Sequence, residues 1–328
     1  EGGAAAAAAA PAAAVLRVAL AAAGDRSWRV RWAAAGKLDE LAAALGPPAA
    51  NGELVLAYEK LLQDGEPEVR TSAAFAVAKV AAQLQPAALL EHVLPCLQQL
   101  VLDGSEHVRG ALATVINDVA PALGREHTVN HLLPLLLTLL RDETSEVRLN
   151  IIAKLDAIHQ VIGVDLLSQS LLPAIVDLAE DGKWRVRLAI IDHVPRLAEQ
   201  LGPGFFDAQL CELCLGWLGD DVHAVRLAAA ANLRALAAAF GTEWALGRVV
   251  PRVAELRGRP AFAPRMTALY AAGVLAEALE PAALRRAVLP FVLELARDPV
   301  PNVRFAAARA LEGIGARLAG AAAAAAGG

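Results

Sequence analysis

The sequence predicts an all-α solenoid of about eight two-helix repeats, and two residue patterns sharing one register predict it. The first is an aspartate, then four residues, then Val-Arg. It stands at Asp25/Val30-Arg31, Asp64/Val69-Arg70, Asp103/Val108-Arg109, Asp142/Val147-Arg148, Asp181/Val186-Arg187, Asp220/Val225-Arg226 and Asp298/Val303-Arg304. The step is 39 residues, apart from one gap of 78. Arg259, Pro264 and Arg265 fill that gap as a degenerate copy. The second pattern is Pro95, Pro134, Pro173, Pro251 and Pro290 on the same comb, with Glu212 on the remaining tooth.

Self-similarity with a period of about 40–47 residues and two helices per unit marks HEAT and armadillo arrays. A repeat of 39 sits at the short edge of that range. A chain of 328 residues with one globular core would tend to split into domains. A solenoid grows linearly instead, each repeat touching only its neighbours. The expectation is therefore one HEAT-repeat solenoid over residues 1–328, curved into a superhelix. Its register is set at Asp25, Asp64, Asp103, Asp142, Asp181, Asp220, Arg259 and Asp298. Residues 1–10 and 320–328 are low-complexity Ala/Gly ends that supply no polar cap, so the chain reads as a piece of a longer array.

Composition narrows the partners. Apolar residues make up 56% of the chain but aromatics only 4%, because alanine dominates. The net charge of −5 argues against nucleic acid, which would call for a basic stripe. Three cysteines argue against a disulfide framework and for a reducing compartment. No basic stretch precedes the first apolar run, as a signal peptide would require. The run Leu132–Leu140 is too short to span a bilayer. These readings predict a cytoplasmic or nuclear protein without membrane or nucleic-acid partners.

Taken in order, repeat one opens with a helix over about residues 11–23, then a turn in which Ser27 is placed to cap the second helix through its hydroxyl. Pro67 and Pro301 occupy the next position in register, that of Trp28, in repeats two and eight and mark the helix start, since a first-turn N–H is unpaired anyway. The second helices carry helical apolar spacing, as in Val108, Leu112, Val115 and Val119. They stop at Gly46, Gly124, Gly163, Gly202 and Gly241, where glycine takes the left-handed conformation. The prolines of the comb kink the first helix of each unit. Two helices per repeat, sixteen in all, is the coarse expectation.

The aspartate sits two residues before the cap, where its carboxylate can accept backbone N–H groups. Stacking in register brings each arginine to an aspartate of the next repeat. The expected result is an Asp–Arg ladder that sets register, since exposed pairs contribute little singly.

No catalytic constellation emerges. Cys211 and Cys214 form a lone CxxC on an apolar helix face without the further ligands zinc needs, so both read as packing residues. His127 and His131 lack the intervening glutamate of a zincin. Neither a metal nor a cofactor is expected, and the chain reads as non-enzymatic. What remains is the ridge of turns, where Trp28 and Trp184 share one phase and each precedes Arg-Val-Arg. Trp and Arg are the enriched anchors of protein interfaces.

The stretch from Ser168 to Ile191, with Glu146–Ile152, His131–Leu135, Glu243–Ala245, Arg265–Thr267 and Asp298–Val300, resembles the HEAT-repeat scaffold (A) subunit of protein phosphatase 2A. The likeness runs from about Asp25 to Leu318 and covers the middle and C-terminal repeats of a longer array. That resemblance implies a scaffold whose turns hold a phosphatase catalytic subunit together with a regulatory B-type subunit. Carried over by position, the catalytic-subunit ridge comprises Lys183, Trp184, Arg187, Asp221, Val222, His223, Arg265, Met266, Pro299, Val300 and Asn302. The regulatory-subunit edge includes Trp28 and Arg29. Arg259 replaces an acidic residue, which makes the seventh turn the weakest contact expected. The alternative is an assembly or importin-like transport adaptor. That reading calls for an acidic inner surface, whereas these turns mix Lys183, Arg185 and Arg187 with Asp220 and Asp221.

Overall fold

The computed structural model describes residues 2–163 and 166–326, and every regular element among them is helical. They fall into two units, Glu1–Ala174 and Ile175–Gly328, each built of stacked helix pairs with the architecture of an α-solenoid.

The valines of the Val-Arg pairs after the first explain the stacking, Val30 being 38% exposed. Val69, Val108, Val147, Val186, Val225 and Val303 are all at most 1% exposed. Each sits one turn into a second helix and points between neighbouring repeats. Full burial of such a side chain stabilises by about 1.5–3 kcal/mol. Repetition every 39 residues therefore builds a continuous apolar seam within each unit. Alanines at Ala73, Ala111 and Ala229 let the flanking helices approach closely.

The second helices begin where the turn chemistry places them, at Pro67, Glu106, Ser145, Trp184, His223, Phe262 and Pro301. Their ends confirm the glycine reading: Gly46, Gly124, Gly163, Gly202 and Gly241 all have positive φ, between 73° and 90°. The ψ angle corrects it. At Gly46, Gly124, Gly202 and Gly241 ψ lies between 163° and 175°, so these residues are extended in the mirror-image region rather than left-handed helical. That region is essentially closed to other residues.

The first helices are not simply kinked. Each proline-bearing one widens into a π-turn just before the proline: Leu89–Val93 before Pro95, Thr128–Leu132 before Pro134, Ala245–Val249 before Pro251 and Leu284–Val288 before Pro290. A proline has no N–H to donate and its ring crowds the preceding turn, which a wider turn accommodates. Repeat two bends at the same place with Leu56 in the proline position, through a kink at Gly52, whose φ of −106° and ψ of −111° are not helical. The bend therefore belongs to the repeat, and proline is tolerated there. Sixteen continuous helices is accordingly an overestimate of regularity.

Some second helices are split as well. In repeat one the break falls between Trp28–Ala35 and Leu38–Leu45. There the Ser72 hydroxyl donates to the Trp32 carbonyl at 3.1 Å, and a Cβ on Gly36 would meet that hydroxyl at 3.1 Å. The alanine-rich ends are helical: Gly2–Ala23 opens the chain and Pro301–Ala326 continues through the C-terminal alanines, as the high helix propensity of alanine favours.

Candidate partner-binding ridge

The turn before each second helix is built by its aspartate. Asp25 Oδ1 accepts the Ser27 backbone N–H at 2.7 Å, and Asp64, Asp103, Asp142, Asp181, Asp220 and Asp298 do the same two residues on, at 2.7–3.0 Å. Ser27 makes no side-chain cap, contrary to expectation, because the carboxylate two residues earlier already serves the turn.

The same carboxylates receive the arginines of the preceding repeat. Arg31 reaches Asp64, Arg70 reaches Asp103 and Arg109 reaches Asp142 in the first unit. In the second, Arg187 reaches Asp220 and Arg265 reaches Asp298. Every one of these pairs is bidentate, with Nε on Oδ2 at 2.6–2.8 Å and Nη2 on Oδ1 at 2.9–3.1 Å. The remaining Nη1 donates to the carbonyl six residues back, as Arg70 does to Asp64 at 2.7 Å. One arginine thus ties its own turn to the next, with forked geometry that lysine lacks.

That arrangement gives two of the expected site residues a role within the array. Arg187 and Arg265 have all three nitrogens engaged within the array, and their side chains are only 15% and 11% exposed. They set register and offer a partner little. Burial makes the loss of one partner costly, while desolvation offsets the attraction of the intact pair, so setting register remains the ladder's role.

The rest of the ridge is open. Trp184 heads its helix half-buried, with the Arg185 guanidinium 4.7 Å from its ring centroid. Trp28 and Arg29 repeat that pairing at 4.7 Å in the first unit. A cation over an indole face stiffens both side chains and keeps an apolar surface beside a charge. Lys183, Asp221, His223, Pro299 and Asn302 are exposed, and Val222, Met266 and Val300 are partly so. His223, Met266 and Asn302 line one cavity of about 680 Å³ together with Phe262, Tyr270 and Phe305.

Sequence reasoning does not single out those three aromatics. Phe262 is 52% exposed, Phe305 62% and Tyr270 41%. Phe262 stands 78 residues after Trp184, on the same tooth of the comb, and Phe305 shares a tooth with Met266. The period that places Trp184 also places Phe262, and Phe305 recurs at the Met266 position.

Among the described residues no group of three or more His, Cys, Asp or Glu side chains is placed to hold an ion. Cys211 and Cys214 are buried, and burial pushes the Cys211 thiol up to about 11 and Cys214 higher still. His127 and His131 stack with ring centroids 5.9 Å apart. No helix among the described residues is long and apolar enough to cross a membrane.

Comparison with known proteins agrees with this architecture. A family model described as PPP2R1A-like HEAT repeat matches residues 47–124, and a HEAT repeat model matches residues 132–162 and 288–318. The chain is 44% identical over 64 residues to the A-type regulatory subunit of protein phosphatase PP2A from Schizosaccharomyces pombe. That stretch is 20% of this chain and 11% of the relative. Among solved structures, importin β matches with a TM-score of 0.67 and 17% identity, and Kap95p, in a structure concerned with its binding to RanGDP, with 0.71 and 18%. Each likeness covers 92% of this chain and 40% of the solved one, and at such identity it shows the fold alone.

Proposed function

We propose that this chain, a HEAT-repeat protein, is a non-catalytic scaffold of a phosphatase 2A-type complex. The reading rests on the 44% identity to an A-type phosphatase regulatory subunit, joined by a PPP2R1A-like model matching repeats two and three. The observation that carries it is the Trp184–Arg185 pair, an apolar and cationic anchor held half-open at a helix start while the neighbouring Arg187 is consumed by the ladder.

On this reading the catalytic subunit sits on the turns of repeats five to eight, against Lys183, Trp184, Asp221, Val222, His223, Met266, Pro299, Val300 and Asn302. Arg187 and Arg265 act there by fixing the spacing of those turns. A regulatory B-type subunit engages the first unit through Trp28 and Arg29. The complex works in the cytoplasm or nucleus, where its phosphoprotein substrates are.

A pull-down of purified phosphatase 2A catalytic subunit tests it. Replacing Trp184 with alanine is expected to weaken capture by about 2 kcal/mol, roughly thirtyfold, as truncation of an interface anchor does. Equal capture by both chains removes Trp184 from the interface. Capture by neither moves the chain to the assembly or transport-adaptor class.

A further inference from the structure

One rung in the second unit is broken. Arg187 and Arg265 each meet an aspartate 33 residues on, whereas the residue 33 after Arg226 is Arg259. Arg226 keeps the inner half of the arrangement: its Nη1 donates to the Asp220 and Asp221 carbonyls at 2.6 and 2.9 Å. Its Nη2 lies 3.4 Å from His223 Nδ1. Its Nε, which in every described rung donates to a carboxylate, is buried without a hydrogen-bond partner. A buried donor on a charged group without an acceptor is costly, so the position favours any carboxylate that reaches it.

Arg226 also borders the cavity of about 680 Å³ described above, a size suited to a side chain or short segment of a ligand. The cavity runs across three second helices, His223–Phe240, Phe262–Ala278 and Pro301–Ala326. Its large apolar lining includes Leu227, Phe262, Met266, Tyr270 and Phe305. The charged groups facing it are Arg226, Arg309, His223 and Glu277. Arg309 stacks on Phe305 at 4.7 Å, and Glu277 is neutralised by Arg234. Arg259 adds a further exposed cation at the adjoining turn. This patch is therefore basic and aromatic on a chain whose net charge is −5.

We infer that the groove docks a segment of a protein partner carrying a carboxylate beside a large apolar side chain. The carboxylate completes the rung at Arg226 Nε and Nη2, and the apolar side chain lies between Met266 and Phe305. The partner thereby supplies in trans the contact that an aspartate supplies in cis in the other rungs. The inference does not depend on the partner being a phosphatase subunit.

The discriminating variant is Arg259→Asp, which returns a carboxylate to the rung within the chain and occupies Arg226. Random peptides displayed on phage are selected on the full chain, and an enriched peptide is synthesised with a fluorophore for polarisation measurements. Enrichment of Asp or Glu next to Phe, Leu or Trp is expected. Binding should fall roughly tenfold or more in Arg259→Asp and in Phe305→Ala, and by a similar factor when the peptide carboxylate becomes an amide. Circular dichroism and the melting temperature establish that both variants fold. Enrichment without an acidic residue overturns the proposal, as does undiminished binding to folded Arg259→Asp or equal binding of the amide peptide. Because no phosphatase subunit enters the assay, its failure leaves the scaffold reading standing, and loss of phosphatase capture leaves the groove standing.

Discussion

Arg109 meets Asp142 through two parallel hydrogen bonds, Nε to Oδ2 at 2.6 Å and Nη2 to Oδ1 at 3.1 Å, with the two side chains only 8% and 6% exposed. The pair joins repeats three and four at a depth where losing one partner is costly. Asp142→Ala leaves the Arg109 Nε without its acceptor, with only the longer Nη2 contacts to Glu143 at 3.4 Å and Thr144 at 3.3 Å remaining on that side, and removes the acceptor of the Thr144 N–H. The expected loss is about 3–5 kcal/mol, typical of a buried pair broken on one side. Unfolding of a repeat array need not be two-state. The measurement is therefore amide exchange, with protection lost first in Glu106–Val115 and Ser145–Ile152.

The ladder also makes stability depend on acid. The Arg31 hydrogen bonds hold the Asp64 carboxyl below the ordinary range, and the Glu66 N–H adds to them. At Asp103 and Asp298 burial is the largest single influence and pushes the carboxyl up. The combined hydrogen bonds of Arg70 and Ser105, or of Arg265 and Val300, outweigh it. A carboxyl lowered on folding contributes stability above its unfolded pKa, about 3.9. That contribution is lost as pH falls through the folded value. The urea midpoint should hold from neutrality to about pH 5 and drop below about pH 4. A chain with Asp64→Asn, Asp103→Asn and Asp298→Asn should start lower and show a shallower acid slope. Parallel slopes for the two chains would remove the ladder as the cause.

The ladder is legible in the sequence because two residue types keep one phase, and a constant period turns a 33-residue separation into a contact. The burial of its members is not legible, since nothing local in Val-Arg tells a surface pair from one closed between repeats. The family resemblance assigns Arg187 and Arg265 to the partner surface, and their place in the ladder is seen only in the fold. Phe262 and Phe305 are hidden by attention to residue type: the comb marks a position, and what it presents is whatever apolar surface stands there. The π-turns lie beyond reach for a different reason. Proline signals a bend but not its hydrogen-bond period, and repeat two bends without proline.

The helix-ending glycines give a test of backbone conformation alone. Gly241 has φ 90° and ψ 168°, and a Cβ there would meet nothing within 4 Å. Its register equivalents Gln85 and Glu280 avoid the problem with φ −72° and −63°, each held extended by the proline that follows. Gly241→Ala should therefore cost about 1–3 kcal/mol through strain, without a clash. Gly315 lies within Pro301–Ala326 in open space, so Gly315→Ala should stabilise by about 0.5–1 kcal/mol. Opposite shifts in melting temperature check the pair, and two shifts of one sign would refute the backbone argument.

Thiol reactivity tests how the cores are closed. Cys96, Cys211 and Cys214 are free and buried. Burial pushes Cys96 and Cys211 up to about 11, and Cys214 further, against a usual value near 8.5. The thiolate is the reactive form, so at pH 8 the native chain should resist iodoacetamide at all three positions. In denaturant all three should alkylate at the rate of a simple thiol. Tandem mass spectrometry reads the outcome, since Cys211 and Cys214 share one tryptic fragment. Fast native labelling of Cys211 alone would mean that the first helix of repeat six opens locally, consistent with its break at Leu210, where φ is −123°. Labelling of Cys214 at the same rate would mean that the repeat does not pack as described, because Cys214 is 1% exposed and held between its own helix and its neighbours.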